Sequence, residues 1–178
     1  MKTDKIYLVG FMASGKTTIA RALAARLGWR SEDVDDLIEK RERLSVAEIF
    51  ARHGEPHFRA AERDILKLVQ PMRNLVVATG GGTFADPDNR TAINLDGVSV
   101  WIDLPLADLI PRIPMDGRRP LASDRAQLER LYALRVEAYR AALLRVGASH
   151  MSTSKIVDHI LEAIHHLPSV VHQPTPRV

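Results

Sequence analysis

Gly10-Phe11-Met12-Ala13-Ser14-Gly15-Lys16-Thr17 spells G-x-x-x-x-G-K-[ST] between an apolar strand-like run, Ile6-Tyr7-Leu8-Val9, and a helical pattern with Ile19, Leu23 and Leu27 on one face. That order has a mechanism. The glycines let the backbone curl until successive N–H groups point inward, and the helix that follows aims its positive end at the same spot. A chain of phosphates fits such a cradle. Ala13, Ser14, Gly15, Lys16, Thr17 and Thr18 then surround the phosphates of a nucleotide such as ATP, with the Lys16 ammonium on the β/γ-phosphates and the Thr17 hydroxyl on a Mg²⁺ ion. The competing reading is a glycine-rich turn between strand and helix that binds nothing.

Outward from this loop, short apolar strands alternate with helical patterns, which favours a parallel sheet covered on both faces. Strands are expected at 5–10, at a short segment ending near 33, at 75–79, at 98–103 and at 143–148. The second is polar for a buried strand, since it contains Trp29-Arg30-Ser31-Glu32. Helices are expected at 16–27, 37–41, 46–53, 58–68, 86–95, 106–112, 124–146 and 154–166, and Gly28 closes the first. Residues 1–166 make one domain, with a basic, proline-bracketed loop at about 113–123 as a lid over the nucleotide or as an ordinary surface connection. The last stretch, 167–178, reads as a disordered tail.

Composition narrows the function. The chain has 178 residues, 46% of them hydrophobic and 26% charged, which suits one globular domain with a buried sheet. It has no run of about twenty apolar residues to cross a membrane, a polar start in place of a signal peptide, and no cysteine, so a cytoplasmic location is expected. The net charge of +3 is scattered among acids, as in Glu39-Lys40-Arg41-Glu42-Arg43, which argues against a nucleic-acid surface and is compatible with anionic small substrates. With no obvious apolar surface stripe, a monomer is expected.

Four further groups stand where chemistry can be done. Asp33 and Asp35 fall where the second strand ends, and on an extended segment alternate residues point the same way. One carboxylate can hold Mg²⁺ through water while the other accepts a proton from an attacking hydroxyl; the competing role is N-capping of the next helix, which Asp36 fits better. Arg59 and Glu62 lie three apart on one helix face, the spacing either of a guanidinium held for a planar anion or of a surface ion pair. Three glycines, Gly80-Gly81-Gly82, follow the strand at 75–79 and allow a ligand to approach the main chain.

With these pieces in order, the chain resembles the shikimate kinases, a branch of the nucleoside monophosphate kinase-like fold. The likeness rests on the loop from Gly10 to Thr17, Asp33-Val34-Asp35 with Ile38-Glu39, the run from Ser45 to Phe50, Gly54-Glu55 with Phe58-Arg59 and Glu62, Ala78-Thr79 with the triple glycine, Arg119-Pro120-Leu121, and Arg135 four residues before Tyr139. It implies a three-layer α/β P-loop kinase fold: a central five-stranded parallel sheet, helices on both faces and a mobile lid.

The resemblance also implies roles. Asp33 joins Thr17 at the metal; Asp35 binds the acceptor hydroxyl and serves as base. Arg59 and Arg135 grip the shikimate carboxylate, the backbone of Gly80, Gly81 and Gly82 meets the ring hydroxyls, Arg112 covers adenine, and Arg119 reaches the transferring phosphate from the lid. Lys16, Asp35 and Arg119 form the catalytic set. Three positions depart from the family pattern: Ser31 in place of a large apolar residue, Glu137 in place of proline, and Leu121-Ala122-Ser123 in place of a double leucine at the lid's end. The implied activity is ATP-dependent phosphorylation of the shikimate 3-hydroxyl; the alternatives are a kinase of another polyol acid such as gluconate, or a non-catalytic sensor of shikimate and nucleotide.

Overall fold

Residues 3–113 and 125–167 are described by the computed structural model. In chain order they form β1 (Lys5–Val9), α1 (Lys16–Leu27), β2 (Arg30–Asp33), α2 (Val34–Glu42), α3 (Val46–Val69), β3 (Leu75–Ala78), α4 (Pro87–Asp96), β4 (Val98–Asp103), α5 (Leu106–Leu109), α6 (Arg125–Tyr139), β5 (Leu144–Gly147) and α7 (Thr153–His166). Short 3₁₀ turns add Thr83–Ala85 and Ile110–Arg112. The expected lid at about 113–123 lies, but for its first residue, outside the described residues, as does the expected tail beyond residue 167.

The five strands pair in parallel in the order β2-β3-β1-β4-β5. The apolar runs take the inner places: β1 and β3 are buried throughout, and β4 is buried except at Asp103. Polar Arg30, Ser31 and Glu32 are tolerated because β2 is an edge strand. Both faces of the sheet are covered. Ser99 and Trp101 of β4 meet Asn94 of α4 and Tyr139 of α6, while α1 and α7 pack together on the other side.

Lys5 is the buried exception in β1, and its ammonium is satisfied by Asp96 Oδ2 at 2.7 Å and the Gln70 carbonyl at 2.6 Å. At the opposite end of the sheet, β1 and β3 are latched together. Leu8 pairs with Ala78, and the Leu8 carbonyl accepts both the Thr79 amide at 3.1 Å and the Thr79 hydroxyl at 3.0 Å. Because the connections turn outward on either side of β1, the loops after β1, β2 and β3 gather at the carboxyl ends of adjacent strands, where ligands of open α/β sheets bind.

Several helix expectations change. The expected helix at 37–41 begins earlier, at Val34, because the Asp33 side chain caps it by accepting the Asp35 amide at 2.9 Å. The expected helices at 46–53 and 58–68 run on as α3 across a break at Gly54, whose φ of 77° lies in the left-handed region, just before Pro56. The expected helix at 124–146 stops at Tyr139. Residues 143–146 fall within both a helix and a strand expectation, and pairing of Leu144 with Val100 and of Val146 with Ile102 decides for the strand. Among the described residues no helix is long and apolar enough to cross a membrane.

Candidate functional site

The loop after β1 closes tightly around its own lysine. Gly10 has φ 143°, and a Cβ there would stand 2.8 Å from the Ile102 carbonyl, so no other residue fits. Ala13 also takes a positive φ, 61°, and Gly15 at 85° starts α1 with no side-chain cap, leaving the first amides of the helix to a ligand. Lys16 is buried, and its Nζ donates to Gly10 O at 2.9 Å, Phe11 O at 2.7 Å and Ser14 Oγ at 3.4 Å. Thr18 is exposed on the same first turn.

Asp33 joins that loop to the end of β2. Its Oδ1 caps α2, while its Oδ2 accepts the Thr17 hydroxyl at 2.6 Å. The capping role expected to suit Asp36 therefore belongs to Asp33; Asp36 is exposed, 3.8 Å from Arg21. Asp35 is likewise not on an extended segment but in the first turn of α2, from which its carboxylate reaches the turn after β3.

At that turn the three glycines are surrounded by charged tips. A Cβ on Gly80 would lie 2.7 Å from Asp35 Oδ1 and 2.8 Å from Glu62 Oε1; one on Gly82 would lie 2.5 Å from Arg59 Nη1. Arg135 Nη1 stands 3.0 Å from the corresponding point on Gly81. The absence of side chains is thus what lets two carboxylates and two guanidiniums converge on one stretch of main chain.

The Arg59–Glu62 pair is not a surface contact. Glu62 is fully buried, and its oxygens accept Arg59 Nη1 at 2.6 Å and Thr83 Oγ1 at 2.6 Å. Glu55 holds the other side of the guanidinium at 2.8 and 3.0 Å. Burial pulls the Arg59 pKa down, but the two carboxylates more than offset it and the group stands above its ordinary value. Arg135 is buried more deeply and is pulled below its ordinary value chiefly by desolvation. Its guanidinium lies 5.6 Å from the centre of the Phe11 ring.

A cleft of about 410 Å³, open mouth included, unites these groups. One wall is polar, made by Asp35, Arg59, Arg135 and the three glycines; the other is apolar, made by Val46, Phe50 and Phe58, with the two phenyl rings 4.9 Å apart. Such a cleft accepts a small ring with hydroxyls on its edge and an anionic substituent. The sequence reading missed the apolar wall, whose residues look like an ordinary buried helix stripe. It also missed the hydrogen bond from Tyr139 to the Gly81 carbonyl, for which the Arg135-to-Tyr139 spacing was the available signal. Burial pushes the Tyr139 phenol well above its usual pKa.

Two further site expectations concern the nucleotide side. Arg112 is exposed in the 3₁₀ turn Ile110–Arg112, and Arg119 lies outside the described residues. Among the described residues, no group of three or more acidic or histidine side chains is placed to hold a metal.

The comparisons with known proteins converge. A family model described as shikimate kinase matches residues 12–165. A curated shikimate kinase of Persephonella marina is 39% identical over 160 residues, covering 89% of this chain and 98% of the relative. The solved shikimate kinase of Aquifex aeolicus superposes with a TM-score of 0.84 at 31% identity, over 95% of this chain and 99% of that one. The shikimate kinase of Acinetobacter baumannii, solved in complex with shikimate, does so with a TM-score of 0.86 at 32% identity, over 92% and 93%.

Proposed function

The chain belongs to the shikimate kinase family, and we propose that it transfers the γ-phosphoryl group of ATP to the 3-hydroxyl of shikimate, giving shikimate 3-phosphate and ADP. The observation that carries this reading is the meeting of Asp35, Arg59 and Arg135 around the triple-glycine turn, one strand away from the Lys16 loop. Two guanidiniums suit the acceptor's carboxylate, Asp35 and the backbone of Gly80 to Gly82 suit its hydroxyls, and Val46, Phe50 and Phe58 suit the face of its ring.

In the reaction, Ala13 to Thr18 cradle the phosphates of ATP, and Lys16 meets the charge on the β- and γ-phosphates. The acceptor oxygen attacks the γ-phosphorus, the bond from that phosphorus to the ADP oxygen breaks, and the hydroxyl proton passes to Asp35. Arg59 and Arg135 hold the carboxylate so that the attacking oxygen lies in line. Arg112 is assigned to adenine and Arg119 to the transferring phosphate.

The residues present fit Mg²⁺. The Thr17 hydroxyl and the Asp33 carboxylate already share a hydrogen bond, and a hydroxyl with one carboxylate is the all-oxygen set with which Mg²⁺ is held when phosphates and water complete its shell. When bound there, the ion supplies charge neutralisation on the phosphate oxygens. On the same reading residues 1–166 act as one domain, a monomer in the cytoplasm whose only substrates are the two small molecules.

A coupled assay of ADP release with shikimate, with gluconate and with no acceptor tests the proposal. Turnover with shikimate alone is expected; turnover with gluconate and not shikimate would overturn it.

A further inference from the structure

A second cleft, of about 920 Å³ with its open mouth included, borders the acceptor cleft and shares Arg59, Gly82 and Arg135 with it. Its other walls are different. Glu55 of α3 and Asp86, which caps α4, supply two carboxylates, and Leu131, Leu134 and Ala138 follow one face of α6 with Arg135 among them. Leu134 is 73% exposed, so this apolar stripe is open to a ligand.

Neither acid is used up by the fold. Glu55 holds Arg59 through Oε1, at 2.8 and 3.0 Å, and Asp86 caps α4 through Oδ1 while its Oδ2 stands 3.5 Å from Arg63. Each has a second oxygen to offer. Of the two guanidiniums, Arg59 is paired with Glu55 and Glu62, whereas buried Arg135 forms no ion pair among the described residues and rests over the Phe11 ring. A buried guanidinium so placed favours an anion. Because Glu55 touches Arg59, negative and positive charge lie side by side in this cleft, as they do on a ligand whose ammonium and carboxylate share one carbon.

We propose that this second cleft binds an α-amino acid with an apolar side chain. Its carboxylate meets Arg135 and Arg59, its ammonium lies against Glu55 and Asp86, and its side chain follows Leu131, Leu134 and Ala138. One pair of guanidiniums cannot hold two carboxylates in full, so the amino acid and the acceptor exclude one another. That consequence rests on the reading of Arg59 and Arg135 as the acceptor's grip; the cleft itself does not.

The test is calorimetry of the whole chain with L-leucine and L-phenylalanine, each beside its deaminated and its decarboxylated analogue, followed by shikimate kinetics at millimolar amino acid. Binding of at least one of the two is expected, weakened about tenfold or more in both of its analogues. Asp86→Asn keeps the helix cap but not the charge, and Leu134→Gln keeps the length but not the apolar surface; each should weaken that binding about fivefold. Neither substitution should alter the Michaelis constant for shikimate when no amino acid is present. In the parent protein the amino acid should raise that constant and leave kcat alone. No binding, equal binding of the analogues, or binding indifferent to both substitutions would overturn the site. Binding that needs Asp86 and Leu134 yet leaves the shikimate constant unmoved would overturn the exclusion. Absence of any shikimate turnover, with amino-acid binding intact, would instead sink the reading of the acceptor.

Discussion

The Thr17 hydroxyl and the Asp33 carboxylate lie 2.6 Å apart, across the join between the phosphate loop and the end of β2. The other Asp33 oxygen starts α2. One side chain therefore sets both the entrance to the helix that carries Asp35 and the oxygen pair proposed to hold Mg²⁺. These two duties can be separated.

Asp33→Asn keeps an oxygen for the cap but loses the charge, so it should melt close to the parent protein while needing markedly more Mg²⁺ for half-maximal rate. Asp33→Ala should show the same metal defect and lose about 1 kcal/mol of stability besides. Urea titration alongside a Mg²⁺ titration of activity checks both.

Asp35→Asn removes the proposed proton acceptor with little change of shape. Its kcat should fall by about a hundredfold or more, with the Michaelis constant for ATP nearly unchanged. A near-normal rate would leave Asp35 as a first-turn helix residue only.

Arg59→Ala should raise the acceptor's Michaelis constant much more than it lowers kcat. It also strips the buried Glu62 of one of its two partners, so a loss of about 3 kcal/mol of stability is expected. Arg59→Lys, which keeps a charge but not the fork, should recover stability better than acceptor affinity.

Gly80→Ala places a methyl group 2.7 Å from Asp35 and 2.8 Å from Glu62. With Glu62 held in place by Arg59 and Thr83, a cost of about 1 to 3 kcal/mol and a weakened acceptor site are expected. Thermal melts with and without shikimate read the two effects apart.

Burial raises the pKa of Tyr139 above its ordinary value of 10.0. A group whose pKa is higher folded than unfolded contributes stability that is complete below the unfolded value. Above about pH 10 the unfolded chain loses this proton first, and stability falls by about 1.4 kcal/mol per pH unit from this group. Tyr139→Phe should have a shallower alkaline slope between pH 9 and 11 in urea unfolding.

Much of the scaffold was legible because its signals are local. Apolar runs marked β1, β3 and β4, and Gly28, with φ 66°, ends α1 where a glycine was expected to stop it. The site was legible as residue types and spacings, less so as geometry. Arg59 and Glu62 have the same spacing in a surface pair and in a buried clamp; Thr83 and Gly82, distant in sequence, distinguish the two. Asp33 could not be told from Asp36 as the cap until the chain's exit from β2 was fixed. The end of α6 depended on strand pairing with β4, which no local propensity encodes.

The double latch of Thr79 onto Leu8 has a metrical consequence. The phosphate-loop backbone leaves β1, and the triple-glycine backbone leaves β3, at paired positions of neighbouring strands. Neighbouring strands sit about 4.8 Å apart, a spacing set by hydrogen bonding and the same in every sheet. The two loops thus start about one strand spacing apart, gauged by the stiffest ruler a protein owns, and the side chains that α2, α3 and α6 send to the second loop set the rest.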